Sequence, residues 1–159
     1  MQFHHRLPLG TVPGEAWALV RQVELVVACI PGVEDVERTP EAGYRAQVRD
    51  RVGPFQVRFP LDLAVTWDEL RYDVVANGQD PATKSYIAMD VRVQVLPEGE
   101  ASVLDIEASL QVTGRLGTLG QSVMTRMFEQ KINAFAENLR RQFDQLGAAA
   151  RSKPDASPF

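Results

Sequence analysis

Cysteine is almost missing from this chain. A lone Cys29 among 159 residues excludes an intramolecular disulfide framework and a thiolate metal cluster. The only two histidines, His4 and His5, are neighbours; on a strand they face opposite sides, so no histidine-based metal site is expected. No stretch approaches 18 uninterrupted apolar residues, so no integral membrane segment is expected. The start, Met1-Gln2-Phe3-His4-His5-Arg6, lacks the apolar run of a secretory leader. A cationic excess is also missing: 17 Lys and Arg face 21 Asp and Glu, a formal net charge of −4, which argues against a nucleic-acid partner. There is no P-loop, Rossmann fingerprint or Ser-His-Asp order, and no cofactor is expected. A cytoplasmic location is the expectation these absences leave. The 45% hydrophobic and 24% charged content describes an ordinary globular domain.

The periodicity is informative. Phe3, His5, Leu7 and Leu9 alternate as one face of a strand. Thr11 is a candidate N-cap for a helix that begins near Pro13 and Glu15 and buries Trp17, Val20 and Leu19. A second short helix fits Glu24 to Cys29 and stops at Ile30-Pro31-Gly32. From Val33 the period changes to two, with strands expected at Val33–Arg38, Tyr44–Val52, Phe55–Trp67, Arg71–Asn77, Ser85–Leu96 and Ala101–Thr113. Turn residues separate them, Gly53-Pro54, Asn77-Gly78 and Pro97-Glu98-Gly99 among them. Pro60 inside the third of these strands points to a bulge or bend. Residues 121–146 then read as one long helix, with Met124, Phe128, Ile132, Phe135, Leu139, Phe143 and Leu146 at three- and four-residue steps. Gly147 is the natural residue after its end. One domain over residues 1–147 and a flexible tail over 148–159 follow.

An antiparallel sheet with one wet face must cover the other, and the long helix is the cover. The expected class is α+β: a seven-stranded curved antiparallel sheet wrapped round a long C-terminal helix, with two short helices after the first strand. A helix gripped in this way does not touch the whole concave face, which leaves space for an apolar small molecule. Its expected walls are Phe59, Leu61, Leu63, Tyr72, Val74, Ile87, Met89, Ile106 and Ala108 from the sheet, and Met124, Met127, Phe128 and Phe135 from the helix. The same stripe suits a solid core equally well. His5 and Asp50 are the candidate polar groups of such a cavity, since both share the inward phase. Catalytic use would require them to meet. Arg45, Gln47, Arg49, Arg51 and Arg58 form a basic stripe on the outer face, which is also how an ordinary solvated face looks.

Three segments carry a family resemblance: Ala28-Cys29-Ile30-Pro31-Gly32-Val33-Glu34, Arg51-Val52-Gly53-Pro54, and Val112-Thr113-Gly114-Arg115-Leu116-Gly117-Thr118-Leu119-Gly120. Together they resemble the CoxG family of carbon monoxide dehydrogenase accessory proteins, within the START-like and polyketide-cyclase superfamily, over roughly residues 2–146. The resemblance implies a helix-grip fold without catalytic apparatus. It also implies an accessory role beside molybdenum hydroxylases of the carbon monoxide dehydrogenase type, with a quinone- or lipid-like ligand in the cavity. Cys29, Pro31, Gly32, Gly53, Pro54, Gly114, Leu116, Gly117 and Gly120 match family motif positions, and a structural role is implied for them.

The chain departs from the pattern in three ways. It stops at Phe159 without the hydrophobic anchor of many members. It replaces a glycine-rich stretch by Asn77 to Lys84. It carries Asp50 where an apolar residue is usual. Three functions stay open at this point: a non-enzymatic carrier or accessory protein, a cyclase- or hydrolase-like enzyme using polar groups in the same cavity, and an interaction module whose cavity has collapsed.

Overall fold

The computed structural model describes residues 1–152, with side-chain surroundings to residue 145. The chain runs β1 (Gln2–Leu9), α1 (Pro13–Val20), α2 (Val23–Ala28), β2 (Val33–Arg38), β3 (Gly43–Val52), β4 (Phe55–Asp68), β5 (Arg71–Asp80), β6 (Ser85–Glu98), β7 (Ala101–Thr113), a 3-10 turn at Leu116–Leu119, and α3 (Gln121–Ser152). The seven strands form one antiparallel sheet in the order β1-β7-β6-β5-β4-β3-β2. It is the expected curved sheet around a long helix. From β2 to β7 each strand pairs with its neighbour in sequence, which needs only short turns, while β1 closes on β7. Of the two edge strands, β1 and β2, the latter is short and charged, and it is broken by a register shift between Glu34 and Glu37. Such features discourage pairing with another chain.

Several local expectations are corrected. Pro60 causes no bulge: the β3–β4 register passes through it unbroken, from Gly43–Ala64 to Val52–Phe55. The β4–β5 ladder begins only at Leu61, so Pro60, with no N–H to donate, has a strand neighbour on one side only. Asn77-Gly78 is not a turn but lies within β5, where Gly78 pairs with Leu61 and Ile87. The N-cap of α1 is Val12 rather than Thr11; the Thr11 hydroxyl is buried without a partner. Gly147 does not end α3, which continues to Ser152, because the alanines at 148–150 are the strongest helix formers and outweigh one glycine. The expected tail from Ala148 is thus helical as far as Ser152, and the rest of it lies outside the described residues.

A buried polar chain positions α3. The Leu116 N–H donates to Ser85 Oγ at 3.0 Å, the Ser85 and Thr83 hydroxyls are 2.8 Å apart, and Thr83 Oγ1 donates to Asp80 Oδ2 at 2.6 Å. All three side chains are buried, so a broken link would leave a polar group unsatisfied at a cost of about 1–3 kcal/mol. Gly114 is what allows the chain to cross here. Its φ is 84°, and a Cβ would lie 2.1 Å from the Lys84 carbonyl oxygen.

Candidate functional site

The concave face of the sheet is divided in two. At one end α1 fills the groove. Trp17, half-buried, packs edge-on to Trp67 at 6.1 Å and beside Tyr72 at 6.0 Å. The Tyr72 hydroxyl donates to the Val20 carbonyl at 2.9 Å, satisfying one of the acceptors that the end of α1 leaves free. Burial pushes the Tyr72 pKa up from its ordinary value, so this phenol stays a donor. Ala16 and Val20 are fully buried against the sheet.

At the other end α3 does not fill the curve, and a cavity of about 190 Å³ remains. Phe59, Leu61, Ile87, Met89, Ile106 and Ala108 wall it from the sheet; Phe128 and Phe135 wall it from α3. These eight were expected there from sequence. Leu63, Tyr72, Val74, Met124 and Met127 were expected too and do not line it. Tyr72 belongs to the aromatic cluster under α1. Leu63, Val74 and Met124 are 5%, 7% and 2% exposed and are packed in the core. Met127 is half-buried and lies towards Gly53 in the β3–β4 turn. For Tyr72 the reason is physical: inward phase decides which face a side chain takes, but the volume of α1 and the Trp17 and Trp67 rings decides whether it meets open space. Sequence reasoning missed Phe3, Ile30, Pro31, Val48, Val57 and Ile132 as walls. Alternation, or helical spacing for Ile132, already placed several of these inward.

The polar groups of the cavity are few. His5 and Asp50 both line it, as their phase required, but no hydrogen bond joins them. Instead Asp50 Oδ2 accepts from Lys131 Nζ of α3, and its Oδ1 accepts the Arg51 backbone N–H at 2.7 Å. The two candidate groups thus share the cavity without meeting, and Asp50 is held in a Lys131–Asp50 ion pair, with side chains 25% and 24% exposed. The place of Lys131 is readable in the sequence: it follows Phe128 by three residues and precedes Phe135 by four, on the same helix face.

His4, on the outer face, has its Nε2 2.6 Å from Asp105 Oδ1. Arg6 Nε lies 3.2 Å from the same oxygen, and Gln94 Nε2 donates to Oδ2 at 3.1 Å. Burial alone would raise the Asp105 pKa, but the hydrogen bonds from His4 and Gln94 and the nearby positive charges outweigh it and hold the carboxyl below its ordinary value. Donor atoms of His4, Asp105 and Glu107 fall within 4.8 Å of one another. Both Asp105 oxygens already carry partners, which makes this an ion-pair network on the outer sheet face. Burial pushes the Cys29 thiol pKa up, and its Sγ donates to the Leu25 carbonyl at 3.3 Å, as befits a packed small residue. On the basic stripe Arg45 pairs with Asp62, whereas Arg49 faces Arg58 across the ladder. A wider groove of about 810 Å³ between α2 and β2 is lined by Arg21, Glu24, Glu34, Asp35 and Arg38 among others and has no comparable apolar wall.

No helix among the described residues is long and apolar enough to cross a membrane. No curated protein matches the chain. Among solved structures it is similar to a conserved protein from Geobacillus kaustophilus, at 17% identity and a TM-score of 0.79 over 91% of this chain and 96% of that one. It is also similar to a START superfamily protein from Mycobacterium smegmatis, at 11% identity and 0.64 over 91% and 98%. A third likeness is to the Zhui aromatase/cyclase from Streptomyces sp. R1128, at 11% identity and 0.61 over 97% and 98%. These likenesses show the fold, a START-like helix grip. The family model for CoxG, the G subunit of carbon monoxide dehydrogenase, matches residues 10–144, and the chain belongs to that family.

Proposed function

We propose that this chain is a non-enzymatic accessory protein that holds an apolar small molecule in the cavity between its sheet and α3. The observation that carries this is the cavity itself: an apolar space of about 190 Å³, too large to be a packing defect in an interior as dense as a protein's. An engineered apolar cavity of about 150 Å³ takes up benzene. The space here is somewhat larger than that, which suits a small fused-ring system. A quinone-like ring system, or one end of a lipid-like molecule, fits that size. Membership of the CoxG family supports a place beside a molybdenum hydroxylase of the carbon monoxide dehydrogenase type, in the cytoplasm. Native mass spectrometry of freshly purified protein tests the ligand. A co-purifying apolar mass supports it, and a bare chain that also takes up no added naphthalene refutes it. Co-purification of the tagged chain with a molybdenum hydroxylase from its own cells tests the partner.

A second reading, an enzyme of the cyclase or hydrolase type, is favoured by one observation. Lys131, Asp50 and His5 bring a cation, a carboxylate and an imidazole to a single apolar cavity, and general acid–base catalysis draws on such groups. Loss of a measured turnover on Asp50→Asn or His5→Ala, with binding of the same compound retained, would establish it.

A further inference from the structure

The polar groups of the cavity are not interchangeable. Each carboxylate oxygen of Asp50 accepts one hydrogen bond, Oδ2 from Lys131 Nζ and Oδ1 from the Arg51 backbone N–H. An ammonium has three N–H donors. Asp50 uses one, and no other hydrogen-bond partner of Lys131 is found among the described residues. Lys131 therefore presents spare N–H donors at the cavity. The charge is balanced within the pair, so an anionic head group brought to Lys131 would meet the negative charge of Asp50 beside it. His5, on β1 across the cavity, is the third polar group.

Resting on the cavity-binding reading above, we infer that the cavity selects a compact apolar molecule bearing one neutral hydrogen-bond-accepting oxygen, such as a ketone or ether, and that Lys131 is the residue that reads it. Asp50 positions the ammonium and cancels its charge. A hydrocarbon of the same shape leaves the donors of Lys131 unused, and a carboxylate of the same shape is repelled by Asp50. Selection then comes from α3 through one side chain, while affinity comes from the apolar walls.

Three probes of nearly equal size separate these outcomes: 2-ethylnaphthalene, 2-acetylnaphthalene and 2-naphthoate, titrated by calorimetry or intrinsic fluorescence. The ketone is expected to bind about tenfold more tightly than the hydrocarbon, and the carboxylate no more tightly than the hydrocarbon. The Lys131→Met variant removes that preference. Because it leaves Asp50 unpaired, Asp50→Leu/Lys131→Met is measured alongside, so that no lone charge unsettles the fold; it too is expected to bind ketone and hydrocarbon equally. Equal binding of ketone and hydrocarbon by the unaltered chain overturns the inference but leaves the cavity reading standing. Tightest binding of 2-naphthoate overturns the neutral head group. A ketone preference that survives in the double variant overturns the role of Lys131. Failure of all three probes to bind overturns the cavity reading and this inference with it.

Discussion

Gly78 connects strand packing to the open cavity, and replacing it tests whether the space is real. It lies in β5 between Leu61 and Ile87, two residues that wall the cavity. A Cβ at this position would stand 2.4 Å and 2.6 Å from the Cε2 and Cδ2 of Phe59, and 3.3 Å from Leu61 Cδ1. Carbon atoms settle at about 3.5–4.0 Å, so in Gly78→Ala the Phe59 ring has to retreat by roughly 1 Å. The ring is 3% exposed and packed into the core; the one volume that yields without moving backbone is the cavity beside it. Overpacking costs about 1–3 kcal/mol, while replacing glycine by alanine returns about 0.4–1 kcal/mol through the unfolded chain. The net expectation is a loss of roughly 1–2 kcal/mol together with affinity for 2-ethylnaphthalene reduced on the order of tenfold. Urea unfolding reads the first quantity and fluorescence titration the second. A loss above about 4 kcal/mol with unchanged affinity would show that the ring cannot enter the cavity, and the reasoning would fail.

Three further outcomes follow from the same packing. Gly114→Ala places a Cβ against Lys84 backbone at positive φ and severs the crossing that seats α3. Expression as an aggregated or molten chain is expected, checked by near-UV circular dichroism, and a native-like spectrum would contradict the role given to this glycine. Tyr72→Phe strands the buried Val20 carbonyl and is expected to cost about 1–3 kcal/mol in urea unfolding while leaving probe binding unchanged, because Tyr72 lies outside the cavity. Asp105, whose pKa is held below its ordinary value, contributes stability that is present above its unfolded pKa of about 3.9 and is lost as pH falls through the folded one. Asp105→Asn is therefore expected to be less stable than the unaltered chain at pH 7, with the gap closing below about pH 4. A gap of constant size across that range would refute the charge-based account.

Much of this architecture was readable because its physics is local. Alternation in Phe55–Asp68 and Ala101–Thr113 and the three- and four-residue steps of α3 each mark one face without reference to the rest of the chain. Depth along the groove was not readable. Tyr72 has the same inward phase as Leu61 and Ile106, yet it joins Trp17 and Trp67 under α1 instead of lining the cavity, and that is a matter of volume. The Lys131–Asp50 pair was half readable: Asp50 stood out as a charge in an apolar phase, but its partner is 81 residues away. Only the tertiary fold, which brings α3 within reach of Asp50, selects Lys131 over the other cations. Two turn signals misled for opposite reasons. Asn77-Gly78 stays in a strand because its glycine makes room for Phe59, and Gly147 stays in a helix because alanines follow it.

The central claim is that the space between sheet and α3 is a ligand site, and a methyl-resolved NMR titration with 2-ethylnaphthalene tests it most directly. Saturable shifts are expected at the methyl groups of Ile87, Met89, Ile106, Ala108 and Ile132, with little change at Leu63, Val74 and Met124. Shifts that never saturate, or that gather at exposed Val75 on the outer face, would contradict it.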